Sequence, residues 1–135
     1  MSSLTDIRAT HKNKNTDVKS VSGFKKAHSI DKRSAESKRI MEKYPDRIPV
    51  IVFGDERSTA PSIDRYKYLI PEDLTIGQFI YVIRKKIKLA PEQAIYLFVN
   101  DKLIPSSHEM QKIYEAEKDK DGFLYITYAL ENTFG

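Results

Sequence analysis

Three histidines, His11, His28 and His108, are the side chains best suited to moving a proton near neutral pH. None stands in a catalytic setting. His11 and His28 lie in polar stretches near the N-terminus, and His108 follows Ser106 and Ser107 in a loop-like segment. A nucleophile needs a base within reach and a third group to orient that base, and no such arrangement is visible. The 19 Asp and Glu residues do not pair at a recognisable spacing, and no HExxH or glycine-rich phosphate loop is present. Cysteine is absent, which removes thiol nucleophiles, thiolate ligands and disulfides. No intrinsic enzyme activity, cofactor or metal site is therefore expected. One chemical handle remains, the carboxyl end, where the chain runs out through Glu131-Asn132-Thr133-Phe134-Gly135. Glycine has no Cβ, so its carboxylate enters a narrow channel that a larger residue would block. An ordinary frayed terminus looks the same. The ending alone leaves conjugation and accident both open.

The elements that would carry such an end fit one domain. A chain of 135 residues with 40% apolar side chains, eight Tyr and six Phe can bury a true core. No apolar run approaches the length of a bilayer span, and the polar N-terminus does not read as a signal peptide. Charge is uneven. Residues 1–47 hold 12 Lys and Arg against 6 Asp and Glu, while residues 48–135 hold 11 against 13. A basic front attracts acidic partners of any kind, or is simply a solvated surface. Residues 1–22 are Ser, Thr, Asn and Lys with few large apolars, so they are expected to form a flexible basic arm. The domain is expected over 23–130, with a flexible tail over 131–135.

Asp31 is read as the N-cap of a helix over 32–44, stopped by Pro45, with Glu36, Ile40 and Tyr44 on one face. Ile48-Pro49-Val50-Ile51-Val52-Phe53 is apolar on both faces, as a central strand requires, and Pro49 sits near its start. A shorter strand follows over 65–70. Thr75-x-x-Gln78 predicts a capping box, with Leu74 stapled to Phe79 across it. Ile76, Phe79, Ile80, Ile83 and Ile87 then give that helix a broad apolar stripe. Strands are expected over 94–99, 102–104 and 123–128, with a brief helix over 110–114. A hairpin, a crossing helix and two further main strands make an α+β fold, the β-grasp: a mixed four-stranded sheet whose first and last long strands are parallel neighbours. The helix over 32–44 must then cover the opposite face.

Three stretches carry a family resemblance. They are Lys43-Tyr44-Pro45-Asp46-Arg47-Ile48-Pro49-Val50-Ile51-Val52; Lys67-Tyr68-Leu69-Ile70-Pro71 running on to Leu74-Thr75-Ile76-Gly77-Gln78-Phe79 and Ile83-Arg84-Lys85; and Tyr96-Leu97-Phe98-Val99-Asn100 with Gly122-Phe123-Leu124-Tyr125-Ile126 and Phe134-Gly135. From about Phe24 to Gly135 the sequence closely resembles the autophagy ubiquitin-like modifiers, the group that contains the GABA-receptor-associated protein. The resemblance implies a ubiquitin-like fold and a chain that is a substrate of enzymes. Gly135 would be activated by an activating enzyme, passed to a conjugating enzyme as a thioester and joined to the amine of phosphatidylethanolamine. A deconjugating cysteine protease would act on the same end. With no residue after Gly135, the resemblance implies a mature or a truncated terminus. The protein would divide between cytoplasm and autophagosome membrane, with delivery to lysosome or vacuole.

The resemblance further implies a groove for autophagy receptors bearing an aromatic, two intervening residues and an aliphatic, entering as a strand on an exposed edge at Lys67-Tyr68-Leu69. Its aromatic pocket would comprise Glu36, Ile40, Pro49, Lys67, Leu69 and Phe123. Its aliphatic pocket would comprise Tyr68, Ile70, Pro71, Leu74, Phe79, Val82 and Ile83. Arg47, Arg65 and Lys67 would meet acidic flanking residues. Taken without the resemblance, core packing is the favoured reading of the same apolar residues. The sequence departs from the family in its long arm, in Ser29 where proline commonly follows the histidine, and in Phe53-Gly54 replacing a charged pair. Two alternatives stay open: a non-conjugated β-grasp interaction module, and an electrostatic binder of anionic lipid or nucleic acid through the arm. A nucleic-acid partner is not expected, since the basic clusters lack interleaved aromatics.

Overall fold

A computed structural model of the chain describes residues 18–134, together with Arg8 and Ala9; Arg8, Ala9 and Phe134 are described by backbone alone. The rest of the expected arm, and Gly135, lie outside the described residues. The described residues include several before residue 23. Val18 is buried, and Ser20 caps helix α1 (Val21–Ala27) by accepting from the Gly23 N–H at 3.0 Å. Helix α2 (Ile30–Lys43) is capped by Ser29, whose hydroxyl accepts from Lys32 N–H at 3.3 Å. Asp31 is thus not the cap. It sits inside the first turn, where a carboxylate favours the helix dipole. Pro45 follows the C-cap Tyr44 and stops α2.

Strand β2 (Arg47–Gly54) is buried at all six inner positions and forms a hairpin with β3 (Lys67–Pro71). Helix α3 (Ile76–Lys86) opens with the capping box read from the sequence: Thr75 accepts from Gln78 N–H at 3.2 Å, and Gln78 Oε1 accepts from Thr75 N–H at 2.9 Å. Leu74 and Phe79, the staple residues, are both buried. Strands β4 (Ile95–Val99) and β5 (Lys102–Leu103) meet through Asn100 and Asp101, with φ of 52° and 63°, the left-handed pair that tight hairpins favour. Helix α4 (Met110–Glu117) leads to β6 (Leu124–Leu130).

The strand order is β1-β3-β2-β6-β4-β5, where β1 is Arg8–Ala9. The first and last long strands, β2 and β6, are parallel neighbours with Val50 opposite Leu124. The sheet therefore has six strands rather than four, since two-residue pieces extend it at either edge. Period-two alternation divides the core. Val50 and Val52 face α3 and α4 with Ile70, Phe79, Ile83, Leu97 and Ile126, whereas Ile51 and Phe53 join Phe24, Ile40, Tyr66 and Phe123 beneath α1 and α2. The α1–α2 pair is the added layer that the second apolar face demands.

Residues 131–134, expected as free tail, form a 3-10 turn over Glu131–Phe134. The hydroxyl of Ser58 holds it: Ser58 Oγ accepts from Leu130 N–H and from Thr133 Oγ1, each at 3.0 Å.

Candidate functional site

Strand β3 positions the residues expected to receive a peptide, and its pleat sorts them. Lys67 and Leu69 turn toward α2, while Tyr68 and Ile70 turn toward α3. Apart from Pro71, which has the parity of Lys67 and Leu69, the two residue sets thus lie on opposite faces of the sheet and meet along the β3 edge.

On the α2 side, Lys67 is buried and its Nζ donates to both carboxylate oxygens of Glu36, at 3.0 and 2.9 Å. The same ammonium lies 5.5 Å from the Phe24 ring centroid. Burial of a lysine is tolerated when a carboxylate and a π-face compensate it. Ile40 and Phe123 pack in this cluster with Leu69 against them, and Pro49 is buried opposite Leu69. Five of the six aromatic-side residues therefore converge around Glu36 and Lys67, with Pro49 beneath Leu69.

On the α3 side, Tyr68, Ile70, Leu74, Phe79 and Ile83 are each no more than 2% exposed. Tyr68 meets Phe79 edge-on at 6.2 Å. The groove expected to stand open here is closed, because these side chains fill the main core; Pro71 is also buried and Val82 is half-buried. The Tyr68 hydroxyl has no hydrogen-bond partner among the described residues, and burial pushes its pKa up to about 12. Neither is the edge bare. Arg8 pairs with Leu69 and Ala9 with Tyr68, so the chain's own backbone lies where a free strand edge was expected.

The three basic residues do not form one cluster. Arg47 pairs with Pro71 at one end of the hairpin, while Lys67 pairs with Ile51 at the other. Four residue steps along the strand separate them, roughly 13 Å. Arg65 is exposed just outside β3, and Arg47 is half-buried.

A polar knot that sequence reasoning missed fixes α2 against this site. Asp121 Oδ2 accepts from Arg33 Nε at 2.8 Å and from the Tyr125 hydroxyl at 2.5 Å, while Oδ1 accepts from Phe123 N–H at 2.8 Å. Arg33 Nη1 also donates to the carbonyls of Lys25 and His28, and Ser37 Oγ donates to the Asp121 carbonyl. Arg33, Ser37 and Ile40 lie along one stripe of α2. Two polar residues inside an apolar stripe were the available signal.

Ser106 and His108 have backbone work instead: their carbonyls accept from Gly77 and Ile76 N–H at 2.9 and 2.8 Å, satisfying the start of α3. A cavity of about 390 Å³ lies at the Phe53–Gly54 end of β2, lined by Val18, Ala60 and Ile63, away from the expected peptide residues. Among the described residues no group of three His, Asp or Glu gathers as for a metal ion, and no helix is long and apolar enough to cross a membrane.

The family model described as "Autophagy protein Atg8 ubiquitin like" matches residues 32–135. Autophagy-related protein 8d of Arabidopsis thaliana is 60% identical over 115 residues, covering 85% of this chain and 96% of the relative. Autophagy-related protein 8 of Mycosarcoma maydis is 59% identical over 114 residues, covering 84% and 97%. The crystal structure of Trypanosoma brucei ATG8 superposes with a TM-score of 0.78 at 42% identity, covering 83% of this chain and 97% of that one. The β-grasp sheet, its covering helices and these matches agree, and the chain belongs to the Atg8 family of ubiquitin-like autophagy proteins.

Proposed function

We propose that this protein is an acyl donor rather than an enzyme: a modifier joined through Gly135 to phosphatidylethanolamine on autophagosomal membranes. The observation that carries this is the family match, which runs through residue 135 and so includes the glycine. The activating enzyme, the conjugating enzyme and the cysteine protease would all work on this end. In the transfer step the lipid amine attacks the thioester carbonyl of Gly135, the enzyme thiolate leaves, and an amide forms. A glycine there spares the approaching nucleophile a Cβ. Gly135→Ala is expected to abolish the membrane-bound, faster-migrating form in cells. Persistence of that form would refute conjugation through Gly135.

The same membrane-held domain would dock autophagy receptors. A peptide strand added to β3 would place alternate side chains on the two faces that Lys67–Leu69 and Tyr68–Ile70 define. Ring and aliphatic side chains would then enter by displacing the Lys67–Glu36 closure and the rim near Val82. Because Tyr68 belongs to the core, replacing it would test folding as much as binding. Leu69 is half-buried at the edge and is the better probe. Leu69→Ala is expected to weaken an aromatic-x-x-aliphatic peptide by about tenfold, about 1.4 kcal/mol, in calorimetric titration. An unchanged isotherm would remove this edge from the docking account.

A further inference from the structure

The β3 edge already carries a strand. Arg8 lies opposite Leu69 and Ala9 opposite Tyr68, running antiparallel to β3. We propose that the Arg8–Ala9 segment is a built-in occupant of the receptor-docking edge, so that the arm and an incoming peptide compete for the same backbone groups. The competition rests on the docking reading given above. The self-pairing rests on register alone.

The register says which groups are taken. Val52 N–H donates to the Tyr66 carbonyl at 2.8 Å, so Tyr66 faces β2. Antiparallel ladders alternate, and Tyr68 and Ile70 therefore face β2 as well, opposite Val50 and Ile48. Lys67 and Leu69 turn their N–H and C=O groups outward. Arg8, opposite Leu69, takes that residue's outward pair, whereas Ala9 turns its own N–H away from β3. A peptide strand that needs Leu69 cannot share it with Arg8.

The occupant is built to be displaced. It contributes two residue pairs, against the five that join β2 to β3. Residues 1–17 contain no Phe, Tyr or Trp, so the arm brings no large apolar ring to a site that reads one. Its advantage is tethering, since a segment on the same chain competes at a high effective concentration. A peptide then meets only the open fraction of molecules, and its apparent dissociation constant rises by the inverse of that fraction. Selectivity follows: ligands with a strong aromatic anchor evict the arm, and weak ones do not.

The test compares the full chain with one lacking residues 1–17. The probe is a synthetic peptide with an aromatic-x-x-aliphatic core and acidic flanks. Removing the arm is expected to speed amide hydrogen exchange at Leu69 and tighten the peptide by about three- to tenfold, the range for an edge closed most of the time. Should truncation impair folding, the full-length variants carry the test. Arg8→Pro deletes the N–H that reaches Leu69 and should reproduce both effects. Ala9→Pro deletes an N–H that points away and should change neither. Unchanged Leu69 exchange and unchanged affinity in the truncated and Arg8→Pro proteins would overturn the inference. Faster Leu69 exchange with no peptide binding in any form would keep the self-pairing and discard the docking reading. Leu69 protection that rises with protein concentration would assign the strand to a second copy and overturn the tethered occupant.

Discussion

His28 shows how one residue's surroundings set a pH response. Its ring lies 4.9 Å from that of Phe24, and its carbonyl accepts from Arg33 Nη1 at 2.6 Å. Burial, and after it the positive charge of Lys67, hold the imidazole below its usual value of 6.5. The unfolded chain therefore takes up this proton at higher pH than the folded one. The contribution to stability is complete above about pH 6.5 and is lost as pH falls through the lower folded value. Urea midpoints are expected to drop between about pH 7 and 5, and His28→Gln should remove part of that drop. Parallel curves for the two proteins would clear His28 of the role. The sequence showed a histidine in a polar stretch and nothing of its ring contact. That contact depends on a seven-residue helix too short to show a periodic apolar pattern.

Among the elements, legibility follows the distance between partners. The capping box of α3 was readable because Thr75 and Gln78 are three residues apart. The left-handed turn at Asn100-Asp101 is equally local. The bond from Arg33 to Asp121 spans 88 residues, and no local pattern announces it. Yet this bond joins α2 to the start of β6, with its carboxylate fully buried. Deleting one partner of a buried ion pair strands the other. Asp121→Ala is expected to destabilise the protein by about 3–5 kcal/mol, measured by urea unfolding. A loss below about 1 kcal/mol, the range of surface pairs, would show the knot to be ornamental. The aromatic-side residues would also loosen, because Phe123 N–H hangs on the same carboxylate.

At the scale of the molecule, the parallel pairing of β2 with β6 was predictable, because both runs are apolar on two faces and must lie inside the sheet. The extra strand at β3 was not. Its pairing is made by backbone, and a polar arm writes no period-two pattern to reveal it. The depth at which Tyr68, Ile70 and Phe79 lie was not legible either: burial depends on neighbours that no single stretch displays. Amides of β2 and β6 that face each other should exchange only on global unfolding, while β5, two exposed residues at the far edge, should exchange orders of magnitude faster. Comparable rates would contradict this ranking of the strands. One loop hydroxyl has a larger reach than its size implies. With Thr133 moored to Ser58, two residues remain beyond it to Gly135, roughly 7 Å of rope; cast off back to Glu131, whose N–H stays on the Ala94 carbonyl, four remain, roughly 14 Å. On the short line, a body held by the proposed lipid at Gly135 would ride close to the surface. On the long line it would swing.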